Sequence, residues 1–104
     1  MRLDEVIKMG EAINELLELE VDPLLVYELN TIITKLDPHL KAYSESAKLV
    51  ADESGRVTDI EKYNELLNKE VDIQLDKVIN ISSLPKSLKG SIVYALIPII
   101  YKED

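Results

Sequence analysis

The chain has 104 residues, 46% of them apolar, with no cysteine, no tryptophan and no phenylalanine. A chain of that length builds one core and has no room for a second, and without cysteine it has neither a disulfide framework nor a thiolate metal site. Twenty acidic against twelve basic side chains give a formal net charge of −8, which repels nucleic acid and anionic lipid, so direct binding to either is not expected.

Met1-Arg2-Leu3-Asp4-Glu5 carries charge where a secretory signal needs an apolar core. The densest apolar run, Ile92 to Ile100, reaches only about half of a membrane span. Together these features predict a cytoplasmic chain that does not cross a membrane. The acidity gathers in residues 1–30 and 59–76, whereas residues 77–104 are mildly basic, so the acids are expected on the solvated faces of two helices.

Leu3, Val6, Ile7, Gly10, Ile13, Leu16 and Leu17 recur at spacings of three and four with acids between them, which predicts an amphipathic helix ending near Glu20. Val21-Asp22-Pro23 breaks it, with Asp22 as cap and Pro23 in the first turn of a second helix that folds back on the first. In that helix Leu29, Ile33, Leu36, Leu40, Tyr43, Ala47 and Val50 form a seam that stays in phase across Pro38, so one long kinked helix from Pro23 to about Ala51 is expected in preference to a restart capped by Asp37. Its length of roughly 40 Å exceeds what the first helix covers, so its second half needs another partner.

Asp52-Glu53-Ser54-Gly55-Arg56 reads as a turn, and Thr58 with Glu61 as a capping box opening a third helix whose Ile60, Tyr63, Leu66 and Leu67 face inward. Val71, Ile73 and Leu75 then alternate with polar residues, which predicts a short strand, paired with Val78 to Ile81. After Pro85, the β-branched apolar tail leaves helix and strand both open, with a helix begun at Ser87 or Ser91 preferred and Pro98 kinking or ending it. Asn14-Glu15-Leu16-Leu17 and Glu20-Val21-Asp22 recur as Asn64-Glu65-Leu66-Leu67 and Glu70-Val71-Asp72, an echo read as shared helix-exit chemistry in preference to a duplicated half. The expected fold is therefore mainly α, or α+β with a minor strand or hairpin, in a single domain over residues 1–104: a helical hairpin, a third helix, a short strand and an apolar C-terminal helix.

No constellation points to covalent chemistry. His39 is the lone histidine and is expected on the surface beside Pro38, the serines lack a nucleophile-elbow context, and Gly10, Gly55 and Gly90 are too far apart to make a phosphate-cradling loop. Asp52 to Gly55 lacks the alternating oxygen ligands of a calcium loop. Neither a catalytic residue nor a metal or cofactor site is assigned, and an enzyme is not expected.

The five tyrosines pair an apolar ring with a polar tip, which suits half-buried or interface positions. Tyr94 and Tyr101 lie in a segment, with Ile92, Val93, Leu96, Ile97, Ile99 and Ile100, that is too apolar all round to bury one face only. That segment is either the central element of the fold or a self-association surface. The residues assigned to partner binding are Glu11, Glu15 and Glu18 on the first helix and Tyr94, Ile97, Ile100 and Tyr101 in the tail.

Val26-Tyr27-Glu28-Leu29, Lys35-Leu36, Leu40-Lys41-Ala42-Tyr43, the acidic turn with Gly55, the run from Tyr63 to Ile73 and the terminal Leu96-Ile97-Pro98-Ile99-Ile100 form a recognisable pattern. It resembles an uncharacterised family of small helical proteins encoded by tailed bacteriophages and prophages. The resemblance implies a viral protein in the host cytoplasm and supplies no catalytic residues. The leading expectation is a phage accessory protein that binds a host or phage protein, inhibiting or adapting a host factor. The alternatives are a virion or assembly component that associates with itself through the tail, and an oligomer that sequesters a small molecule such as a nucleotide near Arg56, Lys86 and Lys89.

Overall fold

The computed structural model describes residues 1–102. Leu3–Leu17 forms α1, whose Val6, Met9, Ile13 and Leu16 are buried along one stripe while Glu11 and Glu15 face out. The Arg2 backbone N–H donates to Glu5 Oε1 at 2.9 Å, which ties down the first turn. The helix stops at Leu17, about a turn earlier than expected; beyond it Leu19 is exposed, and Val21 packs against the core from the non-helical link.

Pro23–Ala47 forms α2 and runs on as a 3-10 turn over Lys48–Val50. Asp22 Oδ1 accepts from the Leu24 N–H at 2.8 Å and Pro23 fills the first turn, as expected. Pro38 lies inside this one helix, whose seam is buried at Leu29 and Leu36 and half-buried at Ile33, Leu40 and Tyr43. Leu25 and Ile32 are buried too, which widens the seam into a broader stripe packed on α1. Gly10 makes that approach possible, since a Cβ there would sit 3.0 Å from Leu40 Cδ1.

The second half of α2 gains its partner from α3, Ile60–Leu67, where the Tyr43 and Tyr63 hydroxyls meet at 3.1 Å. The capping assignment shifts by one residue. Asp59, not Thr58, caps α3: its Oδ1 accepts from the Lys62 N–H at 3.1 Å, while the Thr58 and Asp59 N–H groups both reach back to the Val50 carbonyl. Ile60, the first residue of α3, is 68% exposed and not inward-facing. Before it, Asp52 Oδ1 accepts from the Ser54 and Arg56 N–H groups and the Ser54 hydroxyl, and Gly55 takes φ 87°, which closes the turn.

Val71, Ile73 and Leu75 do alternate inward with Asp72, Gln74 and Asp76 outward, yet this stretch is extended chain and not a strand. Its apolar side chains pack singly on the core, and the backbone here is held at its start by the Val71 N–H to the Met1 carbonyl at 2.7 Å. The sheet lies further on: Ile79–Asn80, β1, pairs in parallel with Ile100–Tyr101, β2, with Ile79 opposite Ile100. Between them the apolar helix is short. Gly90–Ala95 forms α4, followed by a 3-10 turn over Ile97–Ile99, since Pro98 has no N–H to donate and its ring clashes with a continuing helix. The tail is thus helix, turn and strand in succession, and α4 starts at Gly90 in place of Ser87 or Ser91.

The sequence echo has a plain structural meaning. Leu17 and Leu67 are the last residues of α1 and α3, and the cap N–H groups of Glu18 and Asn68 both fold back onto carbonyls of the preceding turn. One hydrophobic cluster joins α1, the first half of α2, Ile79, Leu84 and the tail residues Ile92, Leu96, Ile99 and Ile100. Among the described residues no helix is long and apolar enough to cross a membrane.

Candidate functional site

The tail divides its residues between two roles. Ile92, Leu96, Ile99 and Ile100 point into the core, whereas Tyr94 is 76% and Ile97 50% exposed. Ile100 is therefore corrected from a partner-binding residue to a core residue: it is 8% exposed and locked opposite Ile79. Six residues of α4 make a helix too short to stand alone, so its position follows from that burial.

With its buried edge committed, α4 lies beside α1 and leaves a groove of about 690 Å³ between them. Ala12 and Ile92, both buried, form its base. Glu5, Lys8, Glu11 and Glu15 line the α1 side, successive turns of one helix face, while Gly90, Ser91, Tyr94, Ala95 and Pro98 line the other. Met1 and Arg2 close one end. Small residues set the depth: Ala12 and Ala95 bring little volume to the contact, and a Cβ added at Gly90 would meet only open space.

Charge is matched at one end of the groove and unmatched at the other. Arg2 Nε lies 3.3 Å from Asp4 Oδ1 and 3.6 Å from Glu5 Oε1, and the terminal ammonium lies 3.2 Å from Glu70 Oε2. The Arg2 N–H, and secondarily its guanidinium, hold the Glu5 carboxyl below its ordinary range. Among the described residues Glu11 and Glu15 form no ion pair, and neither does Lys8. Glu11 also acts across α1 on α2: the hydrogen bond with Tyr63, burial and the nearby Glu11 charge together push the Tyr43 phenol up to about 12.

Of the residues expected to bind a partner, the structure brings Glu11, Glu15 and Tyr94 together in this groove. Glu18 is exposed just past the end of α1, and Ile97 and Tyr101 lie with Val78 and Ile81 as exposed apolar residues at the small sheet. Sequence reasoning missed Lys8, Ala12, Gly90, Ala95 and Pro98. The signal that was available is a small residue among larger apolar ones: Ala12 beside the helix-spaced Val6, Met9, Ile13 and Leu16, and Ala95 within the Ile- and Leu-rich tail.

A second depression of about 740 Å³ surrounds Pro38, lined by Thr34, Asp37, Leu40 and Lys41, but it is open to solvent on most sides. His39 beside it is half-buried. Neither depression is lined by Arg56, Lys86 or Lys89. No group of three His, Asp or Glu among the described residues is placed to hold a metal ion. The chain matches no protein-family model and finds no match among curated proteins or solved structures.

Proposed function

We propose that this chain works without covalent chemistry, by holding a segment of a protein partner in the groove between α1 and α4. The observation that carries the reading is the exposure of Tyr94 on the rim of a groove whose base is apolar and whose α1 wall is acidic. An amphipathic aromatic ring beside an apolar floor and a polar rim is the anatomy of a protein-binding surface. The setting is the one its resemblance to phage proteins implies: an accessory protein in the host cytoplasm that engages a host or phage protein.

The test compares the wild type with Tyr94→Ala and Glu15→Lys in affinity capture from infected and uninfected bacterial lysate. Tyr27→Ala, an equally exposed tyrosine on α2, serves as control. A protein captured stoichiometrically by the wild type and by Tyr27→Ala, and lost from both groove variants, supports the reading. Capture that ignores the groove variants moves the site elsewhere, and capture of nothing defeats the proposal.

A second reading, a virion or assembly component, is favoured by one observation. Ile97, Tyr101, Val78 and Ile81 leave apolar surface exposed around a two-stranded sheet with open edges. Sedimentation velocity over a concentration series distinguishes it: oligomers abolished by Ile97→Lys support assembly, and a monomer throughout removes it.

A further inference from the structure

We infer that the occupant of the α1–α4 groove is a basic amphipathic α-helix presented by a foreign protein, an assignment that rests on the reading of the groove as a peptide-binding site. Three features of the structure lead there.

The first is charge. Arg2 and the amino terminus are already engaged by Asp4, Glu5 and Glu70. Glu11 and Glu15 stand one helical turn apart with no ion-pair partner among the described residues, against the single cation Lys8. An occupant that brings two cations at that spacing complements the wall, whereas an acidic one meets repulsion.

The second is backbone chemistry. The α1 wall is the body of a helix whose N–H and C=O groups are spent on its own turns, and in α4 the Ile92 and Val93 N–H groups turn back to the Lys89 carbonyl, which leaves only the first-turn N–H groups of Gly90 and Ser91, too few to pair an extended segment along its length. An extended segment laid there would leave its own backbone groups unpaired over the apolar base of Ala12 and Ile92. A helix satisfies its backbone internally and offers apolar anchors at i, i+3 or i+4 and i+7.

The third excludes a second copy of this chain. None of the α-helices in the described residues carries net positive charge: α1 and α3 are acidic, α2 sets Glu28, Asp37 and Glu45 against Lys35 and Lys41, and α4 has no charged residue. The basic portion, residues 77–102, is mostly non-helical. The chain therefore has no basic helix to offer to a copy of itself.

The experiment uses the full chain and three synthetic amphipathic helices of about five turns with the same leucine face. Their polar faces carry lysine, glutamine or glutamate. Binding is measured by fluorescence anisotropy and located by amide shift perturbation in 15N–1H spectra. The lysine helix is expected to bind with its shifts concentrated at Glu11, Glu15, Tyr94 and Ala95, and to weaken about ten-fold in Kd in Glu11→Gln/Glu15→Gln. The exposed pair Glu61→Gln/Glu65→Gln on α3 removes the same charge elsewhere and is expected to change Kd less than about two-fold. If the glutamine or glutamate helix occupies the groove as tightly, the basic assignment is overturned while the groove keeps its role. If the lysine helix spreads over α2 and α3, or responds equally to both double variants, the assignment falls as non-specific attraction. If no helix shifts the groove, the peptide-binding reading falls with it.

Discussion

Leu96 and Ile97 are neighbours in the tail with opposite surroundings, and truncating each to alanine tests the placement of α4 on which the groove depends. Leu96 has no exposed surface, whereas Ile97 is half in water. Leu96→Ala removes three buried carbons, worth about 2.4 kcal/mol in transfer, and an unrelaxed cavity adds up to about 2 kcal/mol. The expected loss is therefore about 2.5–4.5 kcal/mol, a large share of the roughly 5–15 kcal/mol that a domain of this size has. Ile97→Ala removes the same number of carbons from a half-solvated site and leaves no closed cavity, so about 1 kcal/mol is expected. Urea denaturation followed by far-UV circular dichroism separates them. With a slope near 1.5 kcal/mol per molar, the Leu96 variant unfolds about 2 M earlier and the Ile97 variant less than about 1 M earlier. Equal shifts, or a larger one for Ile97→Ala, would mean that α4 is rotated from the orientation described here and that Tyr94 and Ala95 do not face α1.

Three further outcomes are expected. Asp22→Ala removes the acceptor for the Leu24 N–H and should cost about 1 kcal/mol in the same denaturation, with no change expected at Asp37→Ala, an exposed site without a capping bond. Gly10→Val directs branched carbons at a Leu40 methyl that a bare Cβ would already approach to 3.0 Å, so a loss of about 1–3 kcal/mol is expected, and unchanged stability would show that α1 and α2 can part there. The Tyr43 phenol holds its proton more tightly in the fold than in the unfolded chain, so its contribution is complete below pH 10 and is lost as the pH rises toward 12. An ultraviolet titration should show one tyrosine ionising late, and Tyr43→Phe should abolish that phase; a late phase that persists refutes the pairing with Tyr63.

The hairpin was legible because its signals are local and repeat. Asp22-Pro23 supplies a cap and a first-turn proline within two residues, and the α2 seam repeats over seven positions. The tail was not, because its composition is apolar on every face and periodicity cannot say which side is buried. That choice was made by residues far away: Ile79, paired with Ile100 across most of the tail, and the Lys77 ammonium, within 3.5 Å of the Ile97 and Ile100 carbonyls. The alternation at Val71 to Leu75 misled for a related reason, since period two reports which side chains go inward and not whether a neighbour's backbone lies alongside. The groove was half legible. Its acids were visible as a helix face, but the depth supplied by Ala12 and Ala95 emerges only when residues from opposite ends of the chain are brought together.

The division of the groove into an acidic wall and an apolar base predicts how its complex with the lysine helix responds to salt. Glu11 and Glu15 are exposed, so their field reaches the approaching helix through water and is screened over about 8 Å at physiological ionic strength. Ala12 and Ile92 act only after contact, when water has left. Raising salt should therefore slow association and change dissociation little. Stopped-flow mixing at low and moderate salt is expected to show an association rate falling by about ten-fold while the dissociation rate stays within about two-fold. A dissociation rate that climbs as steeply as association falls would show that the ion pairs alone hold the complex and that the apolar base contributes nothing to it. The groove would then be an acidic surface like that on α3, and its small residues would have no part in recognition.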